Sequence, residues 1–192
     1  MDTMEDRNRF WRIAIALGVA ELAVLLTALY ALALWNGGLV ITIGSHAEQA
    51  REPIVIPVAG VRAVDLKDSF GAKRDGGRSH LGVDIFAPEG TPVRAAADAV
   101  VVERTERGAG GRALYLRGTD QTTIYYYAHL SRYRSGLQAG HFVRRGETVG
   151  YVGRTGNVQG SAHLHFAVYT VRDPNRWWTG RNLNPYRLLT DD

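Results

Sequence analysis

The sequence predicts a mainly β domain, mostly antiparallel, preceded by one membrane-spanning helix. Three observations carry this. Residues 13–35 form 23 positions interrupted by a single charge, Glu21. Beyond Trp35 no stretch shows a sustained 3.6-residue period. In its place come short β-branched or aromatic runs separated by glycine turns, the pattern of strands and tight connections.

Taken in order, residues 1–12 carry Arg7, Arg9 and Arg12. The apolar run from Ile13 to Trp35 would span about 35 Å as a helix, against a bilayer core of about 30 Å. It is longer than the apolar part of a cleaved signal peptide, so it reads as an uncleaved anchor, with Ala31-Leu32-Ala33 as the cleavage site of the alternative. In the twenty residues after it the only Lys or Arg is Arg51. The asymmetry places residues 1–12 in the cytoplasm and everything after the span outside it, making this a single-pass protein of the plasma (inner) membrane. Glu21 is costly inside a bilayer. It is either tolerated by its strongly apolar neighbours or contacts a membrane partner helix.

Residues 36–52 read as a linker of 17 residues, opened by Gly37-Gly38. The remaining domain, 53–189, contains the runs Ile54–Val58, Ala99–Val102, Ala113–Leu116, Thr122–Tyr127 and Leu164–Val171, with turns at Gly76-Gly77, Gly108–Gly111, Gly146, Gly153 and Gly156. Cysteine is absent, which removes disulfides, thiol nucleophiles and cysteine-ligated zinc. The 23 Lys and Arg (21 of them Arg) exceed 19 Asp and Glu. The surplus suits an anionic surface or polymer. It is spread along the chain without any nucleic-acid motif, so nucleic acid is not expected as a partner.

Six histidines punctuate the chain. His80-Leu-Gly-Val-Asp84 enters a short apolar run. His129 ends an aromatic strand in Tyr127-Ala-His-Leu130. His163-Leu-His165-Phe166 opens another strand, where residues two apart point to one face. Each is weak alone. Together they imply a cysteine-free His/Asp/His zinc site. Three protein ligands leave the fourth position open, the form zinc takes in catalysis. His-Glu-x-x-His, Gly-x-Ser-x-Gly and P-loop signatures are absent.

These motifs, in this order, resemble the lysostaphin/LytM-type zinc endopeptidases of bacterial peptidoglycan. The similar text also includes Asp68-Ser-Phe-Gly71, Gly77–Val93, Val143–Gly146, Val149–Gly156 and Asn184–Leu189. The resemblance spans about residues 53–189. It implies a lysostaphin-like (duplicated hybrid motif) β fold with a groove, and Zn2+ held by His80, Asp84 and His165. It makes His129 and His163 the catalytic histidines and the peptide crosslinks of peptidoglycan the substrate. The alternative is a non-catalytic binding or activator module of the same fold that regulates another cell-wall hydrolase. Such modules typically lack ligands, and this chain keeps all of them. Arg74 and Arg78, flanking the turn before His80, are candidates for a substrate carboxylate or an oxyanion. His46 and His141 match no motif. Trp177-Trp178 and Tyr186 either pack over the sheet or form an aromatic rim.

Overall fold

A computed structural model of the chain describes residues 53–190. The segments expected as anchor and linker, with Glu21 and His46, lie outside these residues. Among the described residues no helix is long and apolar enough to cross a membrane.

Among the described residues ten strands form two sheets, and every strand pairing is antiparallel. They are β1 (Val83–Phe86), β2 (Pro92–Arg94), β3 (Ala99–Thr105), β4 (Ala113–Gly118), β5 (Thr123–Ala128), β6 (Arg132–Tyr133), β7 (Phe142–Val143), β8 (Thr148–Tyr151), β9 (His163–Thr170) and β10 (Arg181–Leu183). The large sheet runs β1-β9-β5-β4-β3-β7, with β10 pairing the outer half of β9. A small sheet runs β2-β8-β6.

One face of the large sheet is apolar. Val83 and Ile85 of β1, Leu164, Phe166 and Val168 of β9, Tyr125 and Tyr127 of β5, and Leu114 and Leu116 of β4 are buried in a single cluster. Val93, Val149 and Val152 join it from the small sheet, which therefore closes this face. The Phe166 ring packs on Tyr127 at 5.1 Å between centroids. The Tyr127 hydroxyl would be an unpaired polar group here, but it accepts the Ala96 N–H at 2.9 Å. A strand alternates its side chains between faces, so the residues between these apolar ones all emerge on the other side.

The run Ile54–Val58, expected as a strand, forms no ladder of its own. Pro57 has no N–H to give, and only Val58 bridges Val93. The only α-helix among the described residues is α1, Pro185–Thr190. It starts on Asn184, whose Oδ1 accepts the Tyr186 N–H at 3.0 Å.

Candidate metal and catalytic site

β1 and β9 pair so that Asp84 lies opposite His165 and Phe86 opposite His163. This register places Asp84, His163 and His165 on the face away from the core. Gly82, just before β1, leaves the room that His165 needs. A Cβ there would lie 2.5 Å from the Phe166 carbonyl oxygen and 2.8 Å from the His165 ring.

His80 reaches the same point from a turn. Its backbone N–H donates to Ala72 O at 2.8 Å and its carbonyl accepts the Gly71 N–H at 2.7 Å. Its ring Nδ1 donates to Ser69 O at 2.8 Å. That bond fixes the tautomer and leaves the Nε2 lone pair facing the cluster. The turn is anchored in turn by Asn184 Nδ2, which donates to Asp68 Oδ2 at 3.0 Å across 116 positions of sequence.

Three ligand-type atoms meet. His80 Nε2 lies 2.9 Å from His165 Nδ1 and 3.0 Å from Asp84 Oδ1, and His165 Nδ1 lies 3.0 Å from Asp84 Oδ1. A tetrahedral ion with bonds of about 2.0 Å requires ligand edges of about 3.3 Å, so this triangle is close to the size needed. The donor set is two imidazoles and a carboxylate, which suits zinc. Burial alone would raise the Asp84 pKa, but contacts from His165, His80 and Arg74 hold it well below the usual carboxylate range. Burial lowers the pKa of His165 and favours its neutral form. Both groups are thus in the protonation state that ligation needs.

His129 follows β5 directly. It is a non-glycine residue with φ of +64°, a sparsely populated conformation. Its N–H donates to Gly110 O at 2.9 Å, and its Nδ1 donates to Thr155 O at 2.9 Å, leaving Nε2 with its lone pair. Burial lowers its pKa to about 4. The Thr155 turn is itself pinned. Its hydroxyl donates to Leu130 O and accepts the Arg112 N–H, both at 2.9 Å. Gly111 and Gly156, at φ of +60° and +79°, let the two loops touch backbone to backbone, where any side chain would collide.

His163 Nδ1 donates to Ser161 O at 2.9 Å, and its Nε2 lies 3.9 Å from Asp84 Oδ1. The His129 and His163 rings are 5.0 Å apart. All five residues line an open cavity of about 1010 Å³, with Tyr126 on its floor and the exposed Leu81 and Phe86 at its edge. Arg74 and Arg78 line it too. Arg74 donates from its guanidinium to Asp84 Oδ2, the oxygen turned away from the cluster. His141 stands apart on an exposed turn. Trp177 and Trp178 divide the two readings between them: Trp177 packs on Tyr115, whereas Trp178 is 61% exposed. Tyr186 is half-buried against the core.

Some supporting residues had no usable sequence signal. Ser69 and Thr155 hold the histidine rings through carbonyl oxygens, which any residue would supply, while the Thr155 hydroxyl pins its own turn. Tyr126 is one of three consecutive tyrosines, and its face is set by register alone. Gly82, inside the His-x-x-x-Asp motif, did carry a signal.

Fold and site define a class: a small antiparallel β domain with a His/Asp/His cluster in a groove and two further histidines beside it. Peptidase family M23 matches residues 78–185, and the chain belongs to that family. Over 89 residues it is 44% identical to the DD-carboxypeptidase/endopeptidase Mpg of Neisseria meningitidis serogroup B, covering 46% of this chain and 20% of Mpg. The chain therefore spans about a fifth of the length of that curated relative. The catalytic domain of lysostaphin from Staphylococcus simulans superposes with a TM-score of 0.52 at 30% identity, over 61% of this chain and 86% of that domain. A zinc-containing peptidase from Vibrio cholerae superposes with a TM-score of 0.55 at 25% identity, over 68% and 39%.

Proposed function

We propose that the chain is a membrane-anchored zinc metalloendopeptidase that hydrolyses peptide crosslinks of bacterial peptidoglycan. One observation carries the reading: the triangle of His80 Nε2, Asp84 Oδ1 and His165 Nδ1, with His129 and His163 beside it. It is supported by a relative named as a peptidoglycan peptidase, the peptidoglycan DD-endopeptidase ShyC of Vibrio cholerae. The intact ligand set weighs against the non-catalytic activator alternative.

His80, Asp84 and His165 would hold the ion. When bound, zinc supplies a Lewis acid that polarises a carbonyl and makes water nucleophilic near neutral pH. The chain's own groups do the rest. His129 and His163 each have Nδ1 committed to a backbone carbonyl, so each offers Nε2 to the substrate. One Nε2 accepts the proton of the attacking water and the pair returns it to the departing amine, while an N–H of the protonated ring faces the oxyanion. Arg74 donates to Asp84 Oδ2 and so positions that ligand, and Arg78 lines the same cavity as the candidate for a substrate carboxylate. The anchor, residues 13–35, and the short linker would hold the domain on the outer side of the plasma membrane, near the peptidoglycan closest to it.

The test is mass spectrometry of purified sacculi incubated with the full chain. New amine and carboxyl ends at peptide crosslinks, abolished by EDTA and restored by zinc, are the expected result. Unaltered sacculi with zinc bound would leave the activator alternative as the better reading.

A further inference from the structure

The catalytic face of the large sheet does not end at the metal cluster. A line of aromatic rings leaves it. The Tyr126 ring stands edge-on to His165 at 6.0 Å between centroids. Tyr115, paired with Tyr126 across β4 and β5, follows at 4.5 Å. Trp177 lies 4.8 Å beyond Tyr115, and Trp178 another 5.9 Å on, at 88° to its neighbour. Tyr169 borders the same strip: its hydroxyl feels those of Tyr115 and Tyr126.

The segment that brings the tryptophans here, between β9 and β10, is held in shape. Asp173 accepts the Asn175 N–H at 2.9 Å, Thr179 Oγ1 donates to Arg176 O at 2.9 Å, and Arg117 Nη1 donates to Pro174 O at 3.4 Å. A Cβ on Gly180 would sit 2.5 Å from the Tyr169 ring, so the returning chain lies directly on the strip. Trp178 is therefore presented to solvent from a fixed loop, 61% exposed. An indole left in water forgoes a large burial energy, and such residues mark contact sites when other aromatics adjoin them.

Resting on the endopeptidase reading, we propose that this strip, from Tyr126 to Trp178, binds the sugar rings of the glycan strand to which the cleaved peptides are attached. A pyranose has an apolar C–H face and a rim of hydroxyl and amide groups. The strip offers the matching surface: the exposed Trp178 ring backed by Trp177 and Tyr115, with the charged Arg117 and Glu103 close by as partners for hydroxyl and amide groups. The Glu103 carboxylate beside Tyr115 and Tyr169 would be repelled by an anionic lipid surface, whereas it can accept hydrogen bonds from sugar hydroxyls. The strip is continuous with the cavity through Tyr126, so a bound glycan would run toward the site that cuts its peptides.

The test titrates the full-length chain in detergent with peptide-free glycan strands and with a β-1,4-linked N-acetylglucosamine hexamer, following tryptophan fluorescence and calorimetry. Wild type should bind both. Trp178→Ala should weaken binding about tenfold or more, and Trp178→Phe should recover most of it, with melting temperature and zinc content unchanged. Equal glycan binding by wild type and Trp178→Ala overturns the proposal. So does the absence of glycan binding by wild type, or binding of Trp178 to phospholipid vesicles without glycan. Hydrolysis of a sugar-free crosslinked peptide by wild type reads the peptidase function separately, so the strip can fail while that function stands, and the reverse.

Discussion

Strand β9 presents two regions that share one backbone. Leu164, Phe166 and Val168 face the core and are nearly inaccessible; His163 and His165, alternating with them, face the groove. The apolar face can be built from any residues of suitable size, because burial is non-directional. The histidine face cannot, since ligation and proton transfer need particular atoms within a few tenths of an ångström. Hence the chemical face is held by directional bonds from outside β9: Ser69 O on His80, Thr155 O on His129, Ser161 O on His163. The core face sets stability and the register that makes the other face possible.

The largest effect should come from the core side. Phe166→Ala removes the buried ring that packs against Tyr127 and Tyr125 and should cost about 3–5 kcal/mol, a large part of a small domain's stability. Chemical denaturation checks it. Loss of activity should follow the unfolded fraction, not precede it.

The reverse should hold on the other face. His129→Ala and His163→Ala should keep zinc and the fold while slowing turnover about 10²–10⁴-fold. A variant with wild-type rate would remove that residue from the proton-transfer role.

A smaller effect concerns pH. Burial lowers the pKa of His129 to about 4 and shifts His165 in the same direction, whereas the unfolded chain titrates near about 6.5. Between these values the unfolded state binds protons that the folded state refuses. Stability of the metal-free protein should therefore be full above about pH 6.5 and decline as pH falls toward about 4, by no more than about 1.4 kcal/mol per pH unit for each group. His129→Gln should flatten the slope. An unchanged slope would show that the ring is not buried as a neutral group.

Much of this division was legible in the sequence. The β1 run Val83–Phe86 was readable as a short apolar run, although the exposed Phe86 breaks its alternation. His-x-His on a strand and Gly82 between His80 and Asp84 also carried their meaning locally. The small sheet did not, since β2, β6 and β8 are two to four residues long and pair only through distant partners. Ile54–Val58 misled because its composition is that of a strand, while its partner strand offers a single bridge. The supports from Ser69, Thr155 and the Asp68–Asn184 pair come from backbone oxygens or long-range contacts, which local pattern does not encode. The split between Trp177, packed, and Trp178, exposed, depends on how one loop folds over Tyr115.

The groove face of β9 and its partners would form a three-ligand zinc site flanked by two histidines that do not bind the metal. Metal content of purified wild type and five single alanine variants tests it most directly, by elemental analysis after dialysis against trace zinc. One zinc per chain is predicted for wild type, His129→Ala and His163→Ala, and little or none for His80→Ala, Asp84→Ala and His165→Ala, all with unchanged fold by circular dichroism. Zinc retained in the second set, or lost equally from all five, would contradict the account.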